Sequence, residues 1–497
     1  MARKKISFPD YTWWRMDDPH NLMVITGLMT FDTPLEYERL KATMEHAVLR
    51  FRRFRQRLVQ PDLPFKRPYW EDDSFFKLDS HLNQVQLPPP ADQKDLQDLI
   101  SSLLSTELDT TRPLWEFYLV ENYGKGSALI ARMHHSLADG ISLMQVLLSL
   151  TDTVPDRPAS DQSPDSAQTE VQSPGRPTKT FRSAALNANN LSTQKLWDEG
   201  KMLIFNPSLI RYRASQVIEL AATTGRVVLR WPDPPTVFKG SLGKEKRAAW
   251  SEPIELQDVK DIGKEFQSTV NDVLLTAVAG ALGQYIDSRG GAAEDLSIRG
   301  FVPVNLRPVG LDDELGNKFG LVFLSLPIGI DDPVERLHRV KQNMDELKSS
   351  SEPIATYGII NLLGALPYQF EDFAANILDT KATAVMTNVP GVQTQLYLAG
   401  APINTVMAWV PQARRIALGV SMLSYNGKVW LGIATDKGLV PDPEAIIAFF
   451  HAEFNEMRSR AQKTQAEQQT HLKPMISMLD EALHTLDELL AEANQEK

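Results

Sequence analysis

Two adjacent histidines, His134 and His135, are separated by three residues from Asp139-Gly140. The chain has only nine His, so the pair marks this stretch. Imidazole near its unperturbed pKa takes up and returns a proton at neutral pH, the chemistry of a general base. The apolar, β-leaning run Ser127 to Met133 precedes the pair and reads as a strand, while Ile141 to Leu150 reads as the start of a buried helix. The histidines therefore sit where a strand gives way to a loop, a usual place for reactive groups on a rigid scaffold. Neighbouring strand residues point to opposite faces, which favours one general base over a two-histidine metal site. No Cys, no H-E-x-x-H and no third His nearby exist to complete a zinc shell, so no metal is expected. The bland alternative is a pair of satisfied strand histidines, which requires the whole constellation to arise by chance.

His-His-xxx-Asp-Gly resembles the signature of the chloramphenicol-acetyltransferase-like acyltransferases. Further blocks narrow the resemblance to the bacterial-type wax ester synthase/acyl-CoA:diacylglycerol acyltransferases. Arg112-Pro113-Leu114-Trp115-Glu116 looks like their PLW motif, and Asn271-Asp272 like their ND motif. Pro303-Val304-Asn305-Leu306-Arg307, Gly316-Asn317-Lys318-Phe319-Gly320 and Thr387-Asn388-Val389-Pro390-Gly391 follow in the family's order. The resemblance runs from about Phe8 to about Phe450. It departs in Asp10 to Asn21 and in the tail after Phe450, which bear on acceptor choice and surface contacts.

The resemblance implies an α/β (α+β) fold of two chloramphenicol-acetyltransferase-like domains, each a mixed sheet with flanking helices, and an active site in a tunnel at their interface. It implies an acyl-CoA-dependent O-acyltransferase that passes a long-chain acyl group directly to a fatty alcohol, a diacylglycerol or both. Acyl-CoA is then a substrate, and no cofactor is expected. By the same resemblance His135 is the base, His134 supports it, and Asp139 is mainly structural.

The residues themselves leave alternatives open. Asp139 reads as holding its turn by side-chain hydrogen bonds or an Arg pair, and as an orienter of His135 in the other reading. Gly140 would serve where the backbone needs positive φ or close approach. Asn271 has the groups to donate to an oxyanion or a substrate, and Asp272 equally to cap a helix. Pro113, Leu114, Trp115, Asp272, Asn305 and Arg307 are the candidate substrate-binding residues. Trp115 and its neighbours also read as an aromatic core anchor, and Arg307 as a partner of either Asp139 or the CoA phosphates.

These groups need a large scaffold. At 497 residues the chain exceeds what one core usually holds, so two domains are expected, and 42% hydrophobic residues suffice to fill them. The expected division is 1–150, carrying the histidines, 151–236, a disordered linker with connecting helices, and 237–497, ending in a C-terminal helix. Trp115 to Val120 and Ser127 to His134 read as a hairpin. Val259 to Ile286 reads as one long helical pattern through the ND block. Asn426-Gly427, between Leu418 to Tyr425 and Lys428 to Ala434, is a strong type I′ hairpin signal.

A net charge of -11 lacks the basic footprint of a nucleic-acid binder. Zero Cys removes disulfides and a Cys nucleophile, and is compatible with the cytosol. Met1 to Ile6 is followed by no apolar h-region, so no signal peptide is expected. No window reaches ~18 uninterrupted apolar residues, so a spanning helix is not expected. A lipid enzyme of this kind works peripherally, at a membrane or lipid-droplet surface. Arg50, Arg52, Arg53, Arg55 and Arg57, interleaved with Phe51 and Phe54, are one candidate contact, with a solvated helix end as the alternative. Met202 to Phe205, beside Lys201, is another. In the tail, Leu472, Met475, Ile476, Leu479, Leu483, Leu486 and Leu490 share one helical face that packs on its own domain or forms a homodimer seam.

Competing functions are a condensation-type or polyketide-associated acyltransferase using a carrier-bound donor, and a non-catalytic lipid-binding relative. Absence of a carrier domain disfavours the first, and retention of His135 with Asp139 the second. A serine hydrolase is disfavoured because no G-x-S-x-G elbow exists.

Overall fold

The computed structural model describes residues 3–62, 66–155, 222–307, 315–367, 378–412 and 415–495. Of the expected linker 151–236, residues 156–221, Lys201 to Phe205 among them, lie outside the described residues.

Strand Gly126–His134 is buried along its whole length, as a mostly apolar strand covered on both faces should be, and its one charged residue, Arg132, is buried against Glu116 at 3.2 Å. It pairs antiparallel with Trp115–Tyr123 on one side and Val24–Phe31 on the other, with Val24 opposite His134. The expected hairpin forms, turning through Gly124 at φ +57°. These strands belong to a seven-stranded sheet that Leu82–Val85 closes on one edge. Beyond Val24–Phe31 come Ala401–Trp409, Tyr397–Leu398 and Thr151–Asp152. Residues 397–409 of the second half thus complete the sheet of the first, and Thr151–Asp152, placed by composition in the linker, is a strand on its edge.

The second seven-stranded sheet is mixed, running Ile254–Glu255, Lys428–Asp436, Leu418–Tyr425, Ala384–Pro390, Ile298–Asn305, Phe319–Leu326, with Lys246–Trp250 also on Lys428–Asp436. Asn426 and Gly427 both have positive φ, at +47° and +77°, the backbone a type I′ turn demands. A small third sheet joins Lys4–Lys5, Tyr69–Asp72 and Gln56–Val59.

The helical pattern Val259 to Ile286 is two helices, Leu256–Glu265 and Val270–Ser288. Periodicity ran across the break because both helices bury apolar residues in one core. Gln267, at φ +52°, interrupts the backbone, and Thr269 starts the second helix with a capping box to Asp272. That helix is buried on every face from Asp272 to Ile286 except Gln284, so it is apolar all round rather than striped.

The C-terminal helix, Pro443–Gln495, packs its beginning on that helix through Ile446, Phe450, Phe454, Met457 and Ala461. Of the tail's apolar face only the Leu483 side chain is described, and it is exposed. Among the described residues no helix is long and apolar enough to cross a membrane.

Candidate active site

The sheet strand ends at His134, and the backbone N–H of His135 donates to the Met23 carbonyl at 2.7 Å. Ahead of Met23 lies helix Phe8–Met16, opened by Ser7, whose hydroxyl accepts from the Asp10 N–H. Both histidines lie against this helix. The His135 ring stacks on Trp13 at 4.5 Å between centroids and meets Phe319 at 5.6 Å. His134 meets Trp14 at 5.5 Å. The divergent segment Asp10 to Asn21, expected from sequence to bear on acceptor choice and surface contacts, supplies a wall of the histidine site. Its Trp13-Trp14 pair was the signal available.

The two rings do different work. His134 Nδ1 accepts from the Ser136 backbone N–H at 3.0 Å and lies 2.8 Å from the Ser136 hydroxyl. A backbone N–H can only donate, so Nδ1 carries the lone pair and the proton sits on Nε2. Asp17 Oδ1 is 3.6 Å from that Nε2, beyond hydrogen-bond reach, and itself accepts from the Met23 N–H at 2.7 Å. Ser136, His134 and Asp17 thus imitate a nucleophile triad, yet Ser136 is fully buried.

His135 is 8% exposed. Its Nδ1 is buried without a hydrogen bond to another residue. Burial lowers the imidazole pKa from 6.5 to about 4, and the nearby His134 adds to this. The Asp139 charge, the ring's own carbonyl and the Asn317 side chain act in the opposite direction. At neutral pH the ring is uncharged and has a lone pair to offer.

Asp139 caps helix Gly140–Leu148 by accepting from the Ser142 N–H at 3.0 Å. Arg307 Nη1 reaches both its oxygens, at 2.7 and 2.6 Å, and the Lys318 N–H adds a bond at 3.1 Å. With its acceptors occupied this way by Ser142, Arg307 and Lys318, Asp139 holds the turn. Of the two partners expected for Arg307, the geometry takes Asp139. Gly140 meets neither expectation: its φ is not positive, and a Cβ there would meet nothing within 4 Å.

The remaining candidates separate. Leu114 and Trp115 are completely buried, and Trp115 stacks on His81 and donates its indole N–H to the Phe54 carbonyl at 2.9 Å. They are core, with no surface for a substrate, because the strand start they occupy is covered on both faces; Pro113 beside them is buried too. The Leu114 carbonyl nevertheless accepts from the His134 N–H at 3.0 Å, so the motif fixes the strand end. Asp272 is a buried cap rather than a binding residue, since Thr269 claims one of its oxygens through both N–H and hydroxyl. Asn305 Oδ1 accepts from the Arg307 N–H at 2.9 Å and shapes that turn. Asn271 Oδ1 accepts from Asn388 at 2.8 Å, joining the ND and TNVPG blocks rather than reaching either histidine.

Two residues absent from the candidate set stand closer to His135. Asn317 donates from Nδ2 to the His135 carbonyl at 2.8 Å and to Asp10 Oδ1 at 2.9 Å. Asp10 is itself buried, which pushes its carboxyl pKa up, against Arg53 and hydrogen bonds from Asn317 and Ser7 that lower it. Asn317 stood in a noted block, but nothing local in sequence pairs it with Asp10.

The basic run is largely spent within the fold. Arg52 pairs with Asp72 at 2.7 Å, Arg53 lies over Trp70, Arg50 over Phe51, and Arg57 is 3.7 Å from Glu71.

A family model described as the wax ester synthase/diacylglycerol acyltransferase catalytic domain matches residues 6–274, and the WS/DGAT C-terminal domain matches residues 315–458. A Mycobacterium tuberculosis protein named as a diacylglycerol O-acyltransferase is 25% identical over 465 residues, covering 89% of this chain and 87% of its own. Another from that organism, similarly named, is 27% identical over 466 residues, 91% of each chain. Among solved structures, the wax ester synthase/diacylglycerol acyltransferase from Marinobacter aquaeolei superposes with a TM-score of 0.63 at 21% identity, covering 92% of this chain and all of that one. The first condensation domain of the calcium-dependent antibiotic synthetase gives 0.55 at 14% identity, over 93% of this chain and 96% of its own. These likenesses carry the two-domain chloramphenicol-acetyltransferase-like fold.

Proposed function

The chain belongs to the wax ester synthase/diacylglycerol acyltransferase family, and from that premise we propose that it transfers a long-chain fatty acyl group from coenzyme A to a fatty alcohol or a diacylglycerol. The product is a wax ester or a triacylglycerol. The observation that carries the mechanism is the His135 ring, enclosed by Trp13 and Phe319 with its Nδ1 sealed, where burial lowers its pKa.

His135 Nε2 takes the proton of the acceptor hydroxyl as its oxygen attacks the thioester carbonyl. The tetrahedral oxyanion then collapses, the C–S bond breaks, and the imidazolium returns the proton to the CoA thiolate. A positioned base contributes ~10²–10⁴-fold in rate. The aromatic walls keep water from the base, and water would otherwise compete with the alcohol.

Transfer is direct. The chain has no Cys, and Ser136, the hydroxyl beside a histidine, is fully buried. Protein mixed with palmitoyl-CoA alone is expected to keep its unmodified mass; a stable acyl adduct would overturn direct transfer. Products and substrates of this kind are poorly soluble, so the enzyme works at a membrane or lipid-droplet surface on the cytoplasmic side, bound peripherally.

The test is purified protein with palmitoyl-CoA and either hexadecanol or dioleoylglycerol, with products resolved by chromatography. Ester from either acceptor, lost in His135→Ala, supports the reading. Free fatty acid as sole product would overturn it.

A further inference from the structure

Asn317 is where the second half of the chain grips His135. Its backbone N–H donates to Asp10 Oδ1 at 3.0 Å, and its Nδ2 divides its protons between that same oxygen and the His135 carbonyl. Turning the amide over would set its oxygen against a carboxylate and a carbonyl, so partners on both sides fix its orientation. Oδ1 is then left as a buried acceptor without a hydrogen bond. A buried acceptor left unmade is costly. His135 Nδ1, on the very residue whose carbonyl Asn317 holds, is likewise buried and without a bond to another residue. One orphan can only accept, and the other becomes a donor when it carries the ring proton.

We infer that Asn317, held in place by Asp10, is a positioning residue that keeps the His135 proton on Nδ1 and so leaves the Nε2 lone pair facing the acceptor hydroxyl. The inference rests on His135 as the base. The ring's own carbonyl is the other acceptor near Nδ1, but it already accepts from Asn317 Nδ2, whereas Asn317 Oδ1 has no donor of its own. The influence of Asn317 on the ring is in the expected direction, favouring the protonated form.

The sequence around Asn317 is built for this delivery. Gly316 has φ +149°, and a Cβ there would sit 3.7–3.8 Å from the two Asp10 oxygens. Lys318 then gives its N–H to Asp139. Consecutive residues of one turn thus reach Asp10, His135 and Asp139, the last two on either side of the loop that follows the strand. When the imidazolium forms in the reaction, its Nδ1 proton is already seated, and no side chain has to reorganise.

The test combines kinetics with histidine ¹⁵N NMR, in which protonated and lone-pair ring nitrogens have distinct shifts. His135→Gln assigns the His135 signals. In wild type, Nδ1 is expected protonated and Nε2 bare; a wild-type ring protonated on Nε2 overturns the inference without any activity measurement. Asn317→Ala should give a mixed tautomer and a kcat lowered by about 10-fold to 100-fold, with the KM for acyl-CoA within about twofold. Asp10→Ala should move both readouts the same way, and Asp10→Asn, which keeps an accepting oxygen, should restore them. A folded Asn317→Ala with wild-type kcat, a loss confined to KM, or unchanged ring signals overturns it. Should Asn317→Ala not fold, Asp10→Ala and the wild-type spectrum still decide. Because the tautomer is read without substrate, failure of the acyl-transfer reading would show separately, as absence of ester.

Discussion

Arg307 and Asp139 are 168 residues apart in sequence and form a two-oxygen ion pair, at 2.7 and 2.6 Å, with both side chains 5% exposed. The pair ties the loop behind the histidines to the end of strand Ile298–Asn305 in the other sheet. Removing one member leaves a buried charge behind, which typically costs about 3–5 kcal/mol. Asp139→Ala and Arg307→Ala are each expected to lower the melting midpoint together with the rate. The double variant should lose less than the sum of the singles. A dead Asp139→Ala enzyme with an unchanged melting curve would instead give Asp139 a direct role in catalysis.

The two histidines should separate in mutagenesis. His135→Ala is expected to stay folded by circular dichroism and to lose nearly all transfer. Activity above about a tenth of wild type contradicts its role, since the cutoff lies below the general-base effect. His134→Ala should lose less, because that ring is engaged with Ser136 rather than open to substrate. A larger loss at His134 would reverse the assignment.

Acid should destabilise the protein through His135. Its pKa falls from 6.5 to about 4 on folding, through burial. Between those values the unfolded chain binds the proton and the folded chain does not. Stability is therefore full above pH 6.5 and declines as pH drops toward 4, by on the order of 3 kcal/mol from this group. The buried Asp10 carboxyl, whose pKa is raised by burial, works with the opposite sign, favouring the fold as it protonates. His135→Gln should lose less of its melting midpoint than wild type between pH 7 and 5. Equal losses would mean that the ring is hydrated. In kinetics the ascending limb of kcat/KM should lie well below pH 6.5.

Asp272 should matter for stability rather than chemistry. Asp272→Ala removes the partner of Thr269 at the start of a buried helix. A loss of ~1 kcal/mol is expected, with kcat close to wild type. A kcat collapse without a change in melting would return the residue to the reactive site.

Surface attachment is expected through apolar side chains rather than the arginine run. Leu229 and Trp231 are 81% and 86% exposed, and Arg299 fixes the carbonyls of Trp231 and Pro232 at 3.1 and 3.3 Å. A rigidly held, exposed Trp suits a lipid interface. In liposome flotation, Leu229→Ser with Trp231→Ser should release the protein, whereas serine at Arg52, Arg53 and Arg55 should leave binding nearly intact. The reverse result would restore the arginines to that role.

Local patterns made much of the scaffold legible. The mostly apolar run before His134 marks a doubly covered strand, and Asn426-Gly427 marks the hairpin of Leu418–Tyr425 with Lys428–Asp436 in the other sheet, because those signals act over a few neighbouring residues. The break inside Val259 to Ile286 was masked, since both helices face one core and hydrophobic spacing continues through Thr269. Trp115 was ambiguous for a related reason: an aromatic residue beside a motif has the same composition whether it lines a site or fills a core.

The sequence alone determined which groups are present: an imidazole that can act as a base near neutral pH, no thiol, and ordered blocks that resemble one acyltransferase family. Tertiary structure decided what each group is free to do. It committed Asp139 to Arg307, buried Trp115 and Asp272, placed Trp13 on His135, and brought Asp10 and Asn317 together across 307 residues of sequence separation. The physical reason is that burial and hydrogen-bond partnership set protonation and access, and both are properties of contacts between segments that no local window contains.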